Sequence, residues 1–396
     1  MNANQGEQYS FYGLGLAPKL LELVDRMKFK VPTPIQYKAI PIAIAGQDIV
    51  GIAQTGTGKT LAFGLPMVQR LAPGLKRGLV LVPTRELALQ VEETLNKVGQ
   101  PLGLRTAVLI GGASMYNQVQ ALRRGPRIIV ATPGRLLDHL GQGTIRLNDV
   151  SILVLDEADR MLDMGFAPQI EKILPHVPKD RQTMLFSATI PEKIVNIAAR
   201  HMKLPVSVEI APSGTAAKNV IQELFIIKKE EKNQLLIKIL EQYRGTVLLF
   251  SRTKRGAARI TKGLRSLNLS AAEIHADRSM AQRREALEGF KTGKYRILVA
   301  TDIAARGIDV KGIELVINYD LPDDAENYVH RIGRTGRAGH EGRAISFATP
   351  EQRGDVRSIE SVMKKTLPVV RHPEVRSAEF YAPVVRSFGP RRRRRR

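Results

Sequence analysis

Short apolar, β-branched runs recur along this chain, and each ends in a cluster of small, polar or charged residues. In the first half they cover residues 48–53, 79–82, 107–110, 128–131, 152–155 and 183–186. In the second half they cover 247–250, 272–275, 297–300, 315–318 and 344–348. A run that is apolar at every position suits a strand buried on both faces, as in a parallel sheet. The stretches between carry apolar residues at helical spacing, as over 86–98 and 168–174. Alternating strand and helix predict an α/β fold with a doubly wound parallel sheet in each half. Length agrees, since 396 residues exceed one ordinary domain and suit two. The small and polar stretch 211–218 reads as a linker between domains at 1–210 and 219–368. A helix running to about Thr366 then gives way to a basic extension at 369–396, expected to be disordered. Ligands of such sheets bind beyond the carboxyl ends of the strands, so the polar clusters should gather on one face.

The run at 48–53 leads into Ala53-Gln54-Thr55-Gly56-Thr57-Gly58-Lys59-Thr60, the spacing of a phosphate-binding loop between strand and helix. Gly56 and Gly58 let backbone N–H groups turn toward phosphate, and the helix N-terminus that follows favours an anion. Thr55 and Thr57 complete the loop. Lys59 is placed for the β and γ phosphates, and Thr60 for Mg2+ through its hydroxyl. A chance glycine turn would explain neither the strand before it nor the helical pattern after it. The run at 152–155 delivers Asp156-Glu157-Ala158-Asp159. Asp156 suits the same Mg2+, usually through water, and Glu157 suits the orientation or deprotonation of an attacking water. A helix N-terminus would favour one or two acids here. It does not call for this tetrad in company with a phosphate loop. ATP and Mg2+ are the expected cofactors.

With these motifs in hand, the sequence resembles the DEAD-box ATP-dependent RNA helicases of helicase superfamily 2, over roughly residues 9–350. The short N-terminus and basic tail are most like the bacterial RhlE-like group. The resemblance implies two RecA-like domains and RNA-stimulated ATP hydrolysis. It also implies local opening of short duplexes or remodelling of RNA–protein complexes. Val31-Pro-Thr-Pro-Ile-Gln36 resembles the family's Q motif. On that resemblance Gln36 reads the adenine edge, Phe29 stacks on the base, and Phe11 is the isolated aromatic upstream. An amide suits adenine because it donates and accepts together. Lys28 departs from the pattern, which usually has Gly before the aromatic.

The remaining motifs take their roles from the same resemblance. Pro83, Thr84 and Arg85, then Gly111 and Gly112, then Thr132, Pro133, Gly134 and Arg135 correspond to contacts with the RNA backbone. They offer hydroxyls, N–H groups and guanidinium ions, all donors suited to phosphate. Ser187 and Thr189 would couple nucleotide state to RNA binding through hydrogen bonds to the turn that carries Asp159. In the second half Arg252 and Thr301 match RNA-side positions, Asp309 a ribose contact, and His330 a coupling position. Arg334 and Arg337 resemble arginine fingers, whose planar forks match phosphate oxygens. Arg331, between them and His330, could serve RNA backbone instead. Met280 stands where the family often has Gln, so the usual contact is not assigned there. The second half has no phosphate loop, so one nucleotide site is expected. ATP held by Lys59 and Glu157 would also be met by Arg334 and Arg337, closing the domains and completing the RNA groove.

Charge points the same way. Lys and Arg number 61 against 38 Asp and Glu, a net of +23. Residues 1–210 hold 24 basic and 17 acidic residues, 211–350 hold 24 and 16, and 351–396 hold 13 and 5. Such an excess suits a polyanionic partner. Aromatics are 5% and Trp is absent, so base-stacking platforms are few and contacts should fall on phosphates and 2′-hydroxyls. The choice of RNA over DNA rests on the resemblance. The absence of cysteine excludes disulfides, thiol catalysis and Cys-ligated zinc. No apolar run approaches the ~20 residues of a membrane span, and the N-terminus lacks a secretory pattern. A cytoplasmic protein with a monomeric core and no membrane partner is expected, with ribosome assembly and RNA decay both common settings in the family. An ATP-gated RNA clamp would use the same motifs, and a DNA-translocating ATPase is the third reading.

The run of arginines at 391–396 is either an RNA-binding tail or an inert end. Its removal is expected to weaken RNA affinity and flatten the salt dependence while leaving ATP binding unchanged. Binding titrations across a salt series check this, and unaltered affinity at low salt would favour the inert end.

Overall fold

The computed structural model describes residues 9–53, 56–210, 220–305, 310, 312–336 and 341–381. These form two compact units, the first mainly of residues up to 210 and the second mainly of residues from 220, with 274–291 and 303–305 grouping with the first. The linker expected at 211–218 lies outside the described residues, as does the arginine run at 391–396.

The first unit contains strands β1 (Ile49–Ile52), β2 (Arg77–Leu81), β3 (Thr106–Leu109), β4 (Ile128–Ala131), β5 (Val150–Asp156), β6 (Gln182–Ser187) and β7 (Val206–Glu209). They lie in the order β3-β4-β2-β5-β6-β1-β7, parallel at every pairing. Both faces are covered. Val80 and Val82 join one apolar cluster, while Leu79 and Leu81 join another. Full burial of each such side chain contributes about 1.5–3 kcal/mol. The helices that matter below are α1 (Pro18–Arg26), α2 (Pro34–Ile44), α3 (Lys59–Leu71), α4 (Arg85–Gly99), α5 (Met115–Arg123), α6 (Pro133–Gly141) and α7 (Ala158–Asp163).

The second unit contains β8 (Val220–Ile226), β9 (Val247–Phe250), β10 (Ala271–Ile274), β11 (Ile297–Ala300), β12 (Leu315–Asn318) and β13 (Gly342–Ala348). Their order is β10-β11-β9-β12-β13-β8, and the pairings β11–β9, β9–β12, β12–β13 and β13–β8 are parallel. Every apolar run named from the sequence is a strand. Two strands lie outside those runs, β7 and β8, and each ends its sheet. An end strand is covered on fewer sides. In β7 only Val208 is buried, and in β8 Ile221 is 56% exposed between buried neighbours.

Lys28 occupies the position after the end of α1, with φ of 62°. Its N–H donates to Asp25 O and that of Phe29 to Val24 O, the paired bonds of a Schellman motif. That motif wants a left-handed residue, which is the physical reason glycine is usual here. Lysine keeps the turn at a cost of roughly 1–2 kcal/mol.

The helix expected to reach Thr366 runs Arg353–Met363. The extension then begins as ordered chain. Val369 bridges Leu224 in parallel, Leu224 N–H donates to Pro368 O, and Ala378 N–H donates to Ile226 O. Val375 is 5% exposed within the core, and Lys238 pairs with Glu374 at 2.6 Å. Residues 366–381 therefore cover the open edge of β8, which would otherwise present unpaired backbone groups. Among the described residues no helix is long and apolar enough to cross a membrane. Val375→Ala is expected to cost about 2 kcal/mol of stability. The thermal unfolding midpoint of the full chain measures it.

Candidate nucleotide and RNA site

The phosphate loop follows β1 and ends at α3. Gly58 caps α3 with φ of 90°, a conformation suited to glycine, and Gly56 has φ of 84°. Space excludes a side chain at Gly58 as well, because a Cβ there would collide with Gln36 Nε2. Gln36 opens α2 in a capping box: its Oε1 accepts the Thr33 N–H at 2.9 Å. Its Nε2 donates to Gly58 O at 3.0 Å. The Q-motif glutamine and the phosphate loop are thus one hydrogen-bonded body. Lys59 is 6% exposed and its Nζ donates to Ala53 O at 2.9 Å. Thr57 and Thr60 are half-buried beside it, and Thr55 lies outside the described residues. Phe29 is 38% exposed, as a base-stacking ring requires. Phe11 differs from expectation: it is 3% exposed in the hydrophobic core, where it supports the unit and presents no face to a ligand.

β5 ends at Asp156, and Glu157 turns the chain with φ 53° and ψ 50° to cap α7. A left-handed glutamate is strained by about 1 kcal/mol or more, of the kind that clusters at functional sites. Burial lifts the Asp156 carboxyl to about 6, with Lys59 opposing the rise and Glu157 adding to it. A buried carboxylate so placed is short of positive charge, which a hard divalent cation supplies. The donor set therefore fits Mg2+ at Asp156 and Thr60. Among the described residues no group of three or more His, Cys, Asp or Glu could hold a metal. Such an ion would take most of its ligands from phosphate and water.

Glu157 Oε2 pairs with Arg160 Nη1 at 2.8 Å, both side chains being 3% exposed. Sequence reading did not single out Arg160, although it stands one residue beyond the acidic tetrad. Asp159 is a hub. Its Oδ2 accepts the Ala188 and Thr189 N–H groups, each at 2.9 Å, and the Thr189 hydroxyl at 3.2 Å. Its own N–H donates to Ser187 Oγ at 3.2 Å. The bonds expected between 187–189 and the acidic turn are present.

The RNA-side motifs of the first unit meet at the ends of β2, β3 and β4. Thr84 caps α4, accepting the Leu87 N–H at 3.2 Å, and stands beside Pro83. The Arg85 guanidinium lies against Gly111 and Gly112, where a Cβ on Gly112 would strike it and φ is 74°. Thr132 precedes α6, Pro133 and Gly134 open it, and Arg135 reaches back to Ala113 O at 3.1 Å. Two residues missed by sequence reading hold this turn. Gln118 of α5 accepts the Ile110 N–H and donates to Ile110 O, while His139 Nε2 lies 3.2 Å from Gln118 Oε1. Burial pulls the His139 imidazole below its ordinary value, with Arg135 reinforcing the shift. A single Gln and a single His carry no pattern by which sequence could mark them.

In the second unit Arg334 is 3% exposed, and His330 and Thr301 are half-buried. Asp309 and Arg337 lie outside the described residues. Arg252 Nη2 donates to Leu321 O at 3.1 Å. Arg331 is an internal strut. It grips Asp302 through Nε and Nη2 at 2.5 and 2.6 Å and Asp320 O through Nη1 at 2.6 Å. Its guanidinium also lies 4.9 Å from the Phe250 ring centroid.

Comparison with known proteins agrees with this geometry. The DEAD/DEAH box helicase model matches residues 33–197, and the helicase conserved C-terminal domain model matches 231–339. The DEAD-box ATP-dependent RNA helicase CshA of Geobacillus kaustophilus is 43% identical over 372 residues, spanning 93% of this chain and 80% of that protein. The ATP-dependent rRNA helicase RRP3 of Debaryomyces hansenii is 45% identical, spanning 91% of this chain and 76% of that protein. Among solved structures, S. cerevisiae Dbp5 bound to RNA and ADP BeF3 matches with a TM-score of 0.82 at 31% identity, covering 91% of this chain and 95% of that one. Mss116p bound to ssRNA and AMP-PNP matches at 0.83 and 28% identity, covering 90% and 78%. On its motifs, its two parallel sheets and these relatives, the chain belongs to the DEAD-box family of ATP-dependent RNA helicases.

Proposed function

We propose that the first unit binds ATP with Mg2+ and hydrolyses it under control of bound RNA, and that the cycle opens short duplexes or remodels RNA–protein complexes. The observation that carries this reading is the Asp159 hub. One carboxylate oxygen, three residues from the Asp156 cation site, takes three hydrogen bonds from residues 188 and 189. A shift of the nucleotide-side turn is therefore passed directly to the segment that follows β6. RNA is read through its phosphates, by the donors of Thr84, Arg85, Gly112 and Thr132, with tolerance of sequence. Structured RNA of ribosome assembly or RNA decay is the substrate class. The same reading takes the protein as a cytoplasmic monomer of the RhlE-like kind, on the strength of its sequence.

In this scheme Lys59 leaves the Ala53 carbonyl for the phosphates. When bound, Mg2+ neutralises phosphate charge, with Asp156 and Thr60 as the residues that hold it. Glu157 takes the proton of the attacking water, and Arg160 fixes the carboxylate by its other oxygen. On the resemblance of its motif, Arg334 would supply charge for the transition state.

Glu157→Gln is expected to lower kcat by about 10²–10⁴-fold, the usual range for a lost general base. RNA binding in the presence of ATP should remain, as measured by fluorescence anisotropy, and near-normal hydrolysis would refute the assignment. ATPase assays with RNA, with DNA and without nucleic acid test the partner. RNA alone should stimulate, and equal stimulation by DNA would sink the RNA reading.

A further inference from the structure

The two sheets share one plan. With β7 set aside, each strand of the second unit takes the place of the strand seven earlier in the first. By this correspondence β8 answers to β1, β9 to β2 and β12 to β5. The helix after β1 opens with Lys59, and the helix after β8, Lys232–Gln242, opens with Lys232. β5 ends at Asp156, and Asp320 stands two residues beyond the end of β12. The second unit thus repeats the lysine and the aspartate of a nucleotide site. It lacks the cradle: residues 227–231 contain no glycine, and Lys229–Glu231 form a tight 3-10 turn.

The lysine meets the aspartate instead of a phosphate. Lys232 is 4% exposed, and its Nζ donates to Asp320 Oδ1 at 3.0 Å and to Tyr319 O at 2.7 Å. Burial pulls the ammonium below its ordinary value, with Asp320 opposing. The other carboxylate oxygen, Oδ2, accepts the Arg252 N–H at 3.1 Å and the Ser251 hydroxyl at 3.3 Å. These residues form the turn after β9, which leads to Thr253, the cap of the helix Lys254–Ser266. The pair of a buried lysine and a half-buried aspartate therefore ends on the backbone of a residue read above as an RNA contact.

We propose that Lys232 and Asp320 are positioning residues for RNA binding: a built-in cation and carboxylate that stand where the first unit takes nucleotide, and hold the Ser251–Arg252 turn in its binding geometry. This rests on the reading of Arg252 as an RNA contact. A buried pair kept only for stability would affect folding without a preference for one ligand. A positioning pair acts on RNA and spares ATP.

The test is steady-state ATPase of the full chain, titrated separately with RNA and with ATP, beside thermal midpoints. For Lys232→Met the RNA concentration for half-maximal stimulation should rise about tenfold, as for a lost charge-assisted hydrogen bond, with KM for ATP and kcat at saturating RNA within about twofold. Lys232→Arg should restore most of the RNA affinity. Ser251→Ala leaves the ion pair in place and should shift the RNA titration about threefold, which keeps the proposal testable should Lys232→Met not fold. An unchanged RNA titration in folded Lys232→Met, or in Ser251→Ala where Lys232→Met does not fold, overturns the proposal. So does an equal rise in KM for ATP. Arg252→Ala is the separate check on the underlying reading. If it leaves RNA affinity unchanged while Lys232→Met shifts it, Arg252 is not the contact and the pair does not act through it.

Discussion

A strand buried on both faces cannot carry a charged side chain along its length without a large desolvation cost. Polar chemistry in a parallel sheet is therefore pushed to the residues just beyond each strand. In the first unit this places the phosphate loop after β1, the Thr84 turn after β2, the glycines after β3, Thr132 after β4 and Ser187 at the end of β6. Asp156 is the last residue of β5 itself, and it shows the cost directly in a carboxyl lifted to about 6 by burial. The site is the rim of the core, and its electrostatics follow from being at a rim.

That constraint also explains what could be read in the sequence. The central strands were legible because double burial writes a continuous apolar run. β7 and β8 were not, since polar residues interrupt them, Ser207 and Glu209 in β7 and Gln222 and Glu223 in β8, and burial in β8 alternates at Ile221 between Val220 and Gln222. The glycine and carboxylate motifs were legible because phosphate demands small residues and close donors in fixed order. Their supports were not. Gln118, His139 and Arg160 are isolated polar residues whose partners are set by the fold or by a local turn, and such residues leave no periodicity. Phe11 had the right residue type for a ligand face, but its surroundings make it core. The ordered course of 366–381 was hidden for a related reason. Its apolar residues, Leu367, Val369, Val370, Val375 and Phe380 among them, are broken by Pro368 and Pro373 and by charged residues, so no run announces a strand, and it acquires order from the edge it covers.

Arg331 and Arg334 sharpen a further limit. Both stand in one basic motif, and both are nearly sealed from solvent. Charge alone suggested phosphate or RNA for either. The geometry assigns Arg331 to Asp302, to Asp320 O and to the face of Phe250, so its fork is consumed inside the second unit. A basic motif can thus spend part of its charge on holding the rest in place.

The amide of Gln36 carries a last consequence. A backbone donor at Thr33 faces its oxygen, and a backbone acceptor at Gly58 faces its nitrogen. Turning the amide over would set N–H against N–H and oxygen against oxygen. Its orientation is therefore fixed before any base arrives, and each end keeps one further bond to give. Adenine, with a donor at N6 beside an acceptor at N7, complements that fixed pair. Guanine presents two acceptors along the same edge, and one of them would meet the amide oxygen. If Gln36 reads the base as its motif implies, discrimination between purines is written into the main chain of α2 and the phosphate loop.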